Sequence, residues 1–165
     1  MEIDIKIKKE KWVTLIALVI IVIVLGILGT ITVQEFGNIL DEVNKENAST
    51  NMLLIQAKAK VLNEKAGFSK DDSILKGQKL SGITGNEKIE NLKNLGVINP
   101  SEENYDNYYV WDKQTITDLE IGIEKMNSDE FYIVNYSTEE VIYSEGYKHT
   151  DGKTYYKLSE ISALE

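Results

Sequence analysis

The hydrophobic positions of this chain fall into three successive patterns, of which the first is continuous. From Trp12 to Val33 the sequence runs for 22 residues without a charged side chain. A helix of that length spans about 33 Å at about 1.5 Å per residue, which matches a bilayer core of about 30 Å. A fully buried strand would be much shorter, and a helix satisfies its own backbone groups in lipid. The pattern therefore predicts a transmembrane helix over residues 12–33.

The second pattern, over residues 34–66, has the period of an amphipathic helix. Apolar residues recur three and four positions apart, at Phe36, Ile39, Leu40, Val43, Leu54, Ala57, Val61 and Leu62. Residues 43–51 are rich in Asn, Ser and Thr, which are poor helix formers, but no Pro or Gly interrupts them. Gly67 is a typical helix stop. We therefore expect one long helix over residues 13–66.

The third pattern, in the last third of the chain, consists of short apolar segments separated by turns. Three antiparallel strands are predicted, at Phe131–Tyr136, Glu140–Ser144 and Lys153–Leu158. The last of them follows Asp151-Gly152, which is typical of a hairpin turn. Six of the nine tyrosines lie in residues 132–156, and we expect them to form a sheet face that packs on the amphipathic helix.

The sequence between the long helix and these strands gives fewer indications of secondary structure. Residues 85–98 predict a short helix in which Ile89, Leu92 and Leu95 share one face and Gly96 ends the helix. Tyr108–Trp111 is a further candidate strand, and residues 116–123 favour a helical turn. The expected fold class is α+β: a long transmembrane and amphipathic helix packed on a small C-terminal antiparallel sheet. Residues 67–165 form the expected head.

Lysine placement orients the predicted span. Four lysines lie in residues 1–12, whereas Lys45 is the only lysine between Val33 and residue 58. Because lysines are retained on the cytoplasmic side, residues 1–12 are predicted to be a cytoplasmic leader and the head to lie outside the cell membrane. A cleaved secretory signal is the less favoured alternative, since its apolar core has about 7–15 residues followed by a small-residue cleavage site.

Composition narrows the chemistry that the chain can perform. The absence of Cys excludes disulfides and thiolate metal sites, and the absence of Arg removes bidentate recognition of phosphate. The net charge of -9 lies entirely on residues 36–165, because residues 1–35 hold four Lys, three Glu and one Asp and sum to zero. A nucleic-acid partner is therefore not expected.

Candidate ligand-binding residues are few, and the sequence contains no recognisable set of catalytic residues. Glu102, Glu103 and Asp106 are the best calcium candidates, although they lack the spaced pattern of a calcium loop. His149 has no second His or Cys to complete a metal site and is expected to be an exposed turn residue. Tyr108, Tyr109 and Trp111 could stack on a sugar or nucleobase, but a role in the core is favoured. We predict no enzyme activity and no cofactor.

The segment Val13–Leu18, with the sequence VTLIAL behind a Lys-rich leader, resembles the processing motif GFTLIEL of type IV pilins and pseudopilins. The C-terminal third also looks like the endings of pilin-like proteins from low-GC Gram-positive bacteria. The resemblance implies that prepilin peptidase cleaves between Trp12 and Val13 and that the new N-terminus is methylated. It places the hydrophobic helix in a filament core against like subunits, through Thr14, Leu15, Ile16, Ala17, Leu18, Gly26 and Gly29.

Two positions depart from the family pattern. Trp12 stands where the family has Gly, and Ala17 stands where it has Glu. By resemblance, that Glu neutralises the amine of a neighbouring subunit inside lipid, which Ala cannot do. The favoured function is a minor or divergent subunit of a type IV pilus or type II secretion-like pseudopilus. The alternative is a non-polymerising, membrane-anchored surface protein whose head binds a ligand; an extracytoplasmic enzyme has no support from any motif.

Overall fold

A computed structural model describes the backbone of residues 2–98, 105–123 and 125–164, and their side chains except those of residues 2–17 and 24–40. The chain divides into two compact units, Met1–Glu42 and Val43–Glu165. The boundary between these units lies inside the long helix. The second half of the helix belongs to the head because Met52 and Ile55 are buried in the core of that unit.

Helix α1 runs without interruption from Glu2 to Ser69. It contains the predicted segment 13–66, begins within the predicted leader and continues through the Asn-rich stretch. The helix passes through Gly67, and Lys70 adopts the left-handed conformation with a φ of 53°. The Asp71 backbone N–H then donates to the carbonyl of Ala66 at 3.1 Å, which satisfies one of the terminal carbonyl groups.

Most side chains of the predicted transmembrane span lie outside the residues whose side chains the structure describes. Of residues 12–33, the structure describes the side chains of Leu18–Ile23 only. Over the described residues, none of the helices combines the length and the apolar character needed to cross a membrane.

The sheet has five antiparallel strands in chain order. They are β1 (Gln78–Lys79), β2 (Tyr108–Asp112), β3 (Phe131–Asn135), β4 (Val141–Lys148) and β5 (Thr154–Lys157). The three predicted strands correspond to β3, β4 and β5, and the further candidate strand is β2. The sequence did not predict β1, because two exposed polar residues carry no hydrophobic pattern. The α+β class with an antiparallel sheet is confirmed.

Within the described residues, three short α-helices accompany the sheet: α2 (Glu87–Asn94), α3 (Lys113–Asp118) and α4 (Leu158–Ser162). Helix α2 lies inside the predicted segment 85–98, and the Asn86 carboxamide accepts from two backbone N–H groups at its start. Ile89 and Leu92 are buried, but Leu95 is exposed, so the prediction that all three share one face is wrong. Leu95 follows the last helical residue and precedes Gly96, whose φ of 70° turns the chain away.

The remaining two helices differ from the predicted bounds. The Asp112 carboxylate accepts from the Thr115 N–H and starts α3 before the predicted residue 116. Leu158, predicted to end a strand, is the first residue of α4. The Glu160 carboxylate accepts from the backbone N–H groups of Tyr156 and Lys157 at 3.3 Å, and this contact favours the change from strand to helix.

Both faces of the sheet are buried. On one face, Tyr109, Trp111, Tyr132, Val134, Tyr136, Val141 and Tyr147 pack with Met52, Ile55, Ala59 and Leu62 of α1. On the other face, Tyr108, Val110, Phe131, Ile133 and Ile142 pack with Leu80 and with Ile89 and Leu92 of α2. This second layer explains why β3 is buried along its whole length instead of at alternate residues. The expected packing of a tyrosine-rich face on α1 is confirmed for Tyr132, Tyr136 and Tyr147.

Candidate assembly surface

The residues that the pilin resemblance assigns to processing and assembly all lie in α1. The side chains of Trp12, Val13, Thr14, Leu15, Ile16 and Ala17 lie outside the described residues, as do the surroundings of Gly26 and Gly29. Leu18 is the one described member of the set, and 62% of its surface is exposed. The five residues after it, Val19–Ile23, are also exposed. Six consecutive helical residues point in every direction, so apolar side chains are accessible all around α1 at this level.

Further along α1, apolar residues form two rows on different sides of the helix. The buried row is Met52, Ile55, Ala59, Leu62 and Ala66, at spacings of three and four. Leu54, Ala57 and Val61, which the sequence placed on the packed face, are exposed. Both rows have a helical period, so the pattern alone could not select between them. The buried row contains Ala59 and Ala66, whose small side chains suit close approach to the large aromatic residues of the sheet.

The second row forms what we call the exposed stripe, defined as Val43, Leu54, Val61 and Phe68. These residues are 46%, 43%, 45% and 93% exposed. Their separations of 11, 7 and 7 residues are close to whole numbers of helical turns, so the four side chains project from one side of α1. Scattered exposed apolar residues are normal, but a row along one helix side indicates an interaction surface. The 7-residue spacing from Leu54 to Phe68 is the sequence signal that could have found it.

Hydrogen bonds to the head hold α1 in one rotation about its axis. The Gln56 side-chain amide donates to the Glu139 carbonyl at 2.8 Å, and the Asn63 amide donates to the Tyr136 carbonyl at 2.9 Å. Lys60 adds an ion pair with Glu139, at 3.5 Å between Nζ and Oε2. Because these contacts and the buried row fix the helix rotation, the exposed stripe has a defined direction relative to the sheet.

The loop after α1 is anchored to the same sheet face. Trp111 Nε1 donates to the Lys76 carbonyl at 2.8 Å, and the Tyr136 hydroxyl donates to the same carbonyl at 3.1 Å. Burial raises the pKa of Tyr136 to about 12, so this hydroxyl is a neutral donor. The two bonds fix the loop between α1 and β1.

The aromatic cluster and the calcium candidates do not form a ligand site in the described part of the chain. Tyr108, Tyr109 and Trp111 are all buried, which confirms their role in the core. Glu102 and Glu103 lie outside the described residues, and Asp106 is exposed. The residues that the structure describes contain no group of carboxylates and His that could hold a metal ion.

His149 lies in the β4–β5 hairpin, as predicted, but it is half-buried. Its ring centroid lies 6.1 Å from that of Tyr147 and 6.0 Å from that of Tyr155. The Asp151 N–H donates to His149 Nδ1 at 3.3 Å. Backbone and side-chain donors, chiefly the Lys153 N–H, hold the pKa of Asp151 below its usual value. These contacts organise the turn.

The surface with the clearest functional geometry is therefore α1. It offers apolar side chains all around Leu18–Ile23 and the exposed stripe further along, which suits association with other helices. No protein-family model, curated protein or solved structure matches this chain.

Proposed function

We propose that this chain is a structural subunit, minor or divergent, of a type IV pilus or a type II secretion-like pseudopilus. The observation that carries the proposal is the continuity of α1 from Glu2 to Ser69. One helix includes both the uncharged segment 12–33 and the exposed stripe. The segment 12–33 anchors the subunit in the cell membrane as a single span, with the N-terminus in the cytoplasm and the head outside.

In the proposed assembly, the apolar segment of α1 exchanges its contacts with lipid for contacts with protein. A subunit leaves the membrane when its apolar segment is buried against the same segment of neighbouring subunits. Ile, Val and Leu all around the helix allow such contacts, and Gly26 and Gly29 permit close approach of backbones. The exposed stripe continues the apolar surface into the part of α1 that also packs on the sheet. The expected partners are like subunits, the assembly machinery and prepilin peptidase.

The exposed stripe makes assembly testable without disturbing the fold. The full chain and its Leu54→Ser/Val61→Ser variant are expressed in a bacterial host that carries a prepilin peptidase and a pilus assembly system. The sheared extracellular fraction should contain the parent chain and lack the variant. The matched control is Glu64→Ser/Lys65→Ser, two exposed polar positions on the same helix, which should be released normally. Equal release of all three proteins would contradict helix-mediated assembly.

Cross-linking gives a second measurement, because the chain has no Cys. A single cysteine introduced by Val61→Cys is expected to form a disulfide-linked dimer with a neighbouring copy under mild oxidation. A cysteine introduced by Lys153→Cys, at the exposed hairpin, is the control and should remain monomeric. Dimers from both positions, or from neither, would argue against a specific contact at the stripe.

Processing is tested at the N-terminus of the membrane-extracted protein. Mass spectrometry should find a chain that begins at Val13 with a methylated amine if the peptidase accepts Trp12. Trp12→Gly restores the residue of the family pattern and should increase the processed fraction. An intact Met1 terminus in both proteins would count against a processed pilin.

The second candidate function is a non-polymerising, membrane-anchored surface protein with a ligand-binding head. The observation that favours it is the pair of departures at Trp12 and Ala17. If the indole blocks cleavage, no free amine forms in lipid, and the missing Glu is then consistent with a retained leader. Retention of the uncleaved chain in the membrane after shearing, together with an intact Met1 terminus, distinguishes this candidate from the first.

A further inference from the structure

A groove of about 620 Å³ lies beside the Asn-rich part of α1, between that helix, β4 and the segment around Gly122 and Lys125. Its size is within the range of pockets that bind small ligands, about 300–1,000 Å³. The groove is built entirely from the unit Val43–Glu165. It is separate from the exposed stripe except for Leu54, which borders both.

The helical wall of the groove is rich in amide side chains. Asn44, Asn47 and Asn51 are spaced by three and four residues and all line the groove; Asn44 and Asn47 are exposed, and Asn51 is half-buried. The Asn51 side chain is hydrogen-bonded to Tyr132. Within the described part of the chain, Asn44 and Asn47 make no side-chain hydrogen bond. Asn is a poor helix former, so a structural role alone does not explain three of them here.

The opposite wall supplies positive charge and aromatic surface. Lys125 and Lys148 line the groove, and neither forms an ion pair with another described residue. The described residues that line the groove include these two lysines and no carboxylate, although the unit Val43–Glu165 is acidic overall. Tyr132 and Tyr143 also line the groove, and their rings stack at 4.9 Å between centroids and 21° between planes.

An irregularity in β4 shapes the floor of the groove. The register of β4 against β5 shifts between Ile142 and Tyr147. Gly146, within this bulge, has a φ of 66°, and a Cβ there would lie 2.5 Å from Thr154 Cγ2. Only glycine fits this position without movement of its neighbours. Bulges of this kind are common near functional sites because they redirect the side chains that follow, here Tyr147 and Lys148.

We propose that this groove binds an acidic oligosaccharide, one whose sugars carry carboxylate groups. Amide side chains both donate and accept hydrogen bonds, as sugar hydroxyls do, and the three asparagines present such groups in a row. The half-buried ring of Tyr143, supported from behind by the buried Tyr132, offers a surface for the apolar face of a sugar. The two lysines, with no carboxylate among the described lining residues, favour an anion, and ammonium groups are point charges that pair with single carboxylates. This site does not depend on whether the chain assembles into filaments.

The test is isothermal titration calorimetry of the full chain in detergent micelles with an oligogalacturonate. The free acid should bind, and its methyl ester should bind more weakly because the ester lacks the charges. Lys125→Gln and Lys148→Gln should each weaken binding by about fivefold, as expected for partly exposed charge pairs. The controls are Lys65→Gln and Lys153→Gln, which each make the same charge change outside the groove and should leave affinity unchanged.

A second variant separates binding from folding. Asn47→Ala improves the helix propensity of α1, so the protein should be at least as stable, yet its affinity for the oligogalacturonate should fall. The absence of heat beyond dilution would overturn the proposal. So would equal binding of the ester, an equal loss in the control variants, or equally strong binding of inorganic phosphate. Tighter binding of a single-stranded oligonucleotide would reassign the groove to nucleic acid.

Discussion

Met52 and Leu54 lie two residues apart on α1 and project from nearly opposite sides of it, with 0% and 43% of their surfaces exposed. Met52 is packed in the core formed with the sheet, whereas Leu54 belongs to the exposed stripe. The same helix therefore serves the head on one side and is free to contact another molecule on the other. This division lets mutations separate the stability of the head from the association of α1.

Adjacent substitutions on α1 should have very different effects on stability. Ile55→Ala removes a fully buried side chain and should lower the free energy of unfolding by about 2–5 kcal/mol. Leu54→Ala removes an exposed one and should change it by about 0.5 kcal/mol or less. The measurement is denaturant unfolding in detergent, followed by Trp111 fluorescence in a Trp12→Phe background. Equal losses at the two positions would show that the buried row is assigned to the wrong side of α1.

Gly77 should be far less tolerant of substitution than another glycine of similar backbone conformation. Its φ is 96°, and a Cβ there would lie 2.7 Å from the Val110 carbonyl oxygen and would also collide with the Trp111 ring. Gly77→Ala therefore combines backbone strain of about 1–2 kcal/mol with overpacking of about 1–3 kcal/mol. The control is Gly85→Ala, because Gly85 has a φ of 74° but open space around it.

Thermal unfolding of the two glycine variants measures the difference. Gly85→Ala should show the backbone strain alone, whereas Gly77→Ala should also disturb the indole of Trp111 and change its near-ultraviolet circular dichroism. If both variants lose the same stability and keep the parent spectrum, the close packing of Gly77 against Trp111 is wrong.

The regular parts of the head could be predicted because local pattern and fold agree there. Short apolar segments and the Asp151-Gly152 turn placed β3, β4 and β5 close to their observed positions. The two residues of β1 have no pattern of their own, and they become a strand only because they pair with Val110 and Tyr109. Long-range pairing of this kind leaves no local signal in one sequence.

The two surfaces proposed for assembly and for ligand binding were harder to predict, since they depend on how α1 is rotated against the sheet. The sequence showed apolar residues on α1 but not which row the sheet covers, and Leu54 and Val61 were placed on the wrong side. The groove brings Lys125 and Lys148 near Asn44 and Asn47 only through the tertiary fold. The Asn-rich segment appeared in the sequence as a weak part of a helix.

Raising the pH above 10 should destabilise the head through a buried tyrosine. Burial raises the pKa of Tyr132 from 10.0 to about 12, with Glu130 adding to the shift. Between these values the unfolded chain loses the phenolic proton and the folded chain keeps it. The folded state then binds more protons, so stability is full below pH 10 and falls as the pH rises to 12.

Comparing the pH dependence of unfolding in the parent and in Tyr132→Phe isolates this group, and the variant should have the shallower decline. An identical decline would contradict the assignment.

Lys88 should contribute more to stability than Lys93, although both lie on α2. Lys88 Nζ donates to the backbone carbonyl and to Oδ2 of Asp129, each at 2.9 Å, and also to the Glu145 carboxylate. It thereby ties α2 to the loop before β3 and to β4. Lys93 pairs with Glu90, three residues earlier in the same helix, a type of contact worth about 0.5 kcal/mol or less, and its Nζ lies 5.2 Å from the centre of the Tyr105 ring.

The comparison of Lys88→Met with Lys93→Met is best made as a function of pH and salt. The Lys88 ammonium group holds the pKa of Asp129 below its usual value of 3.8, so the folded state binds fewer protons there. Stability from this contact is present above pH 4 and is lost as the pH falls through the lowered value. Lys88→Met should therefore reduce stability at neutral pH and flatten the acid side of the profile, and added salt should shrink the difference from the parent. Lys93→Met should leave the acid side unchanged. If the two variants gave the same profile, the link that Lys88 makes between α2 and the sheet would have no energetic role.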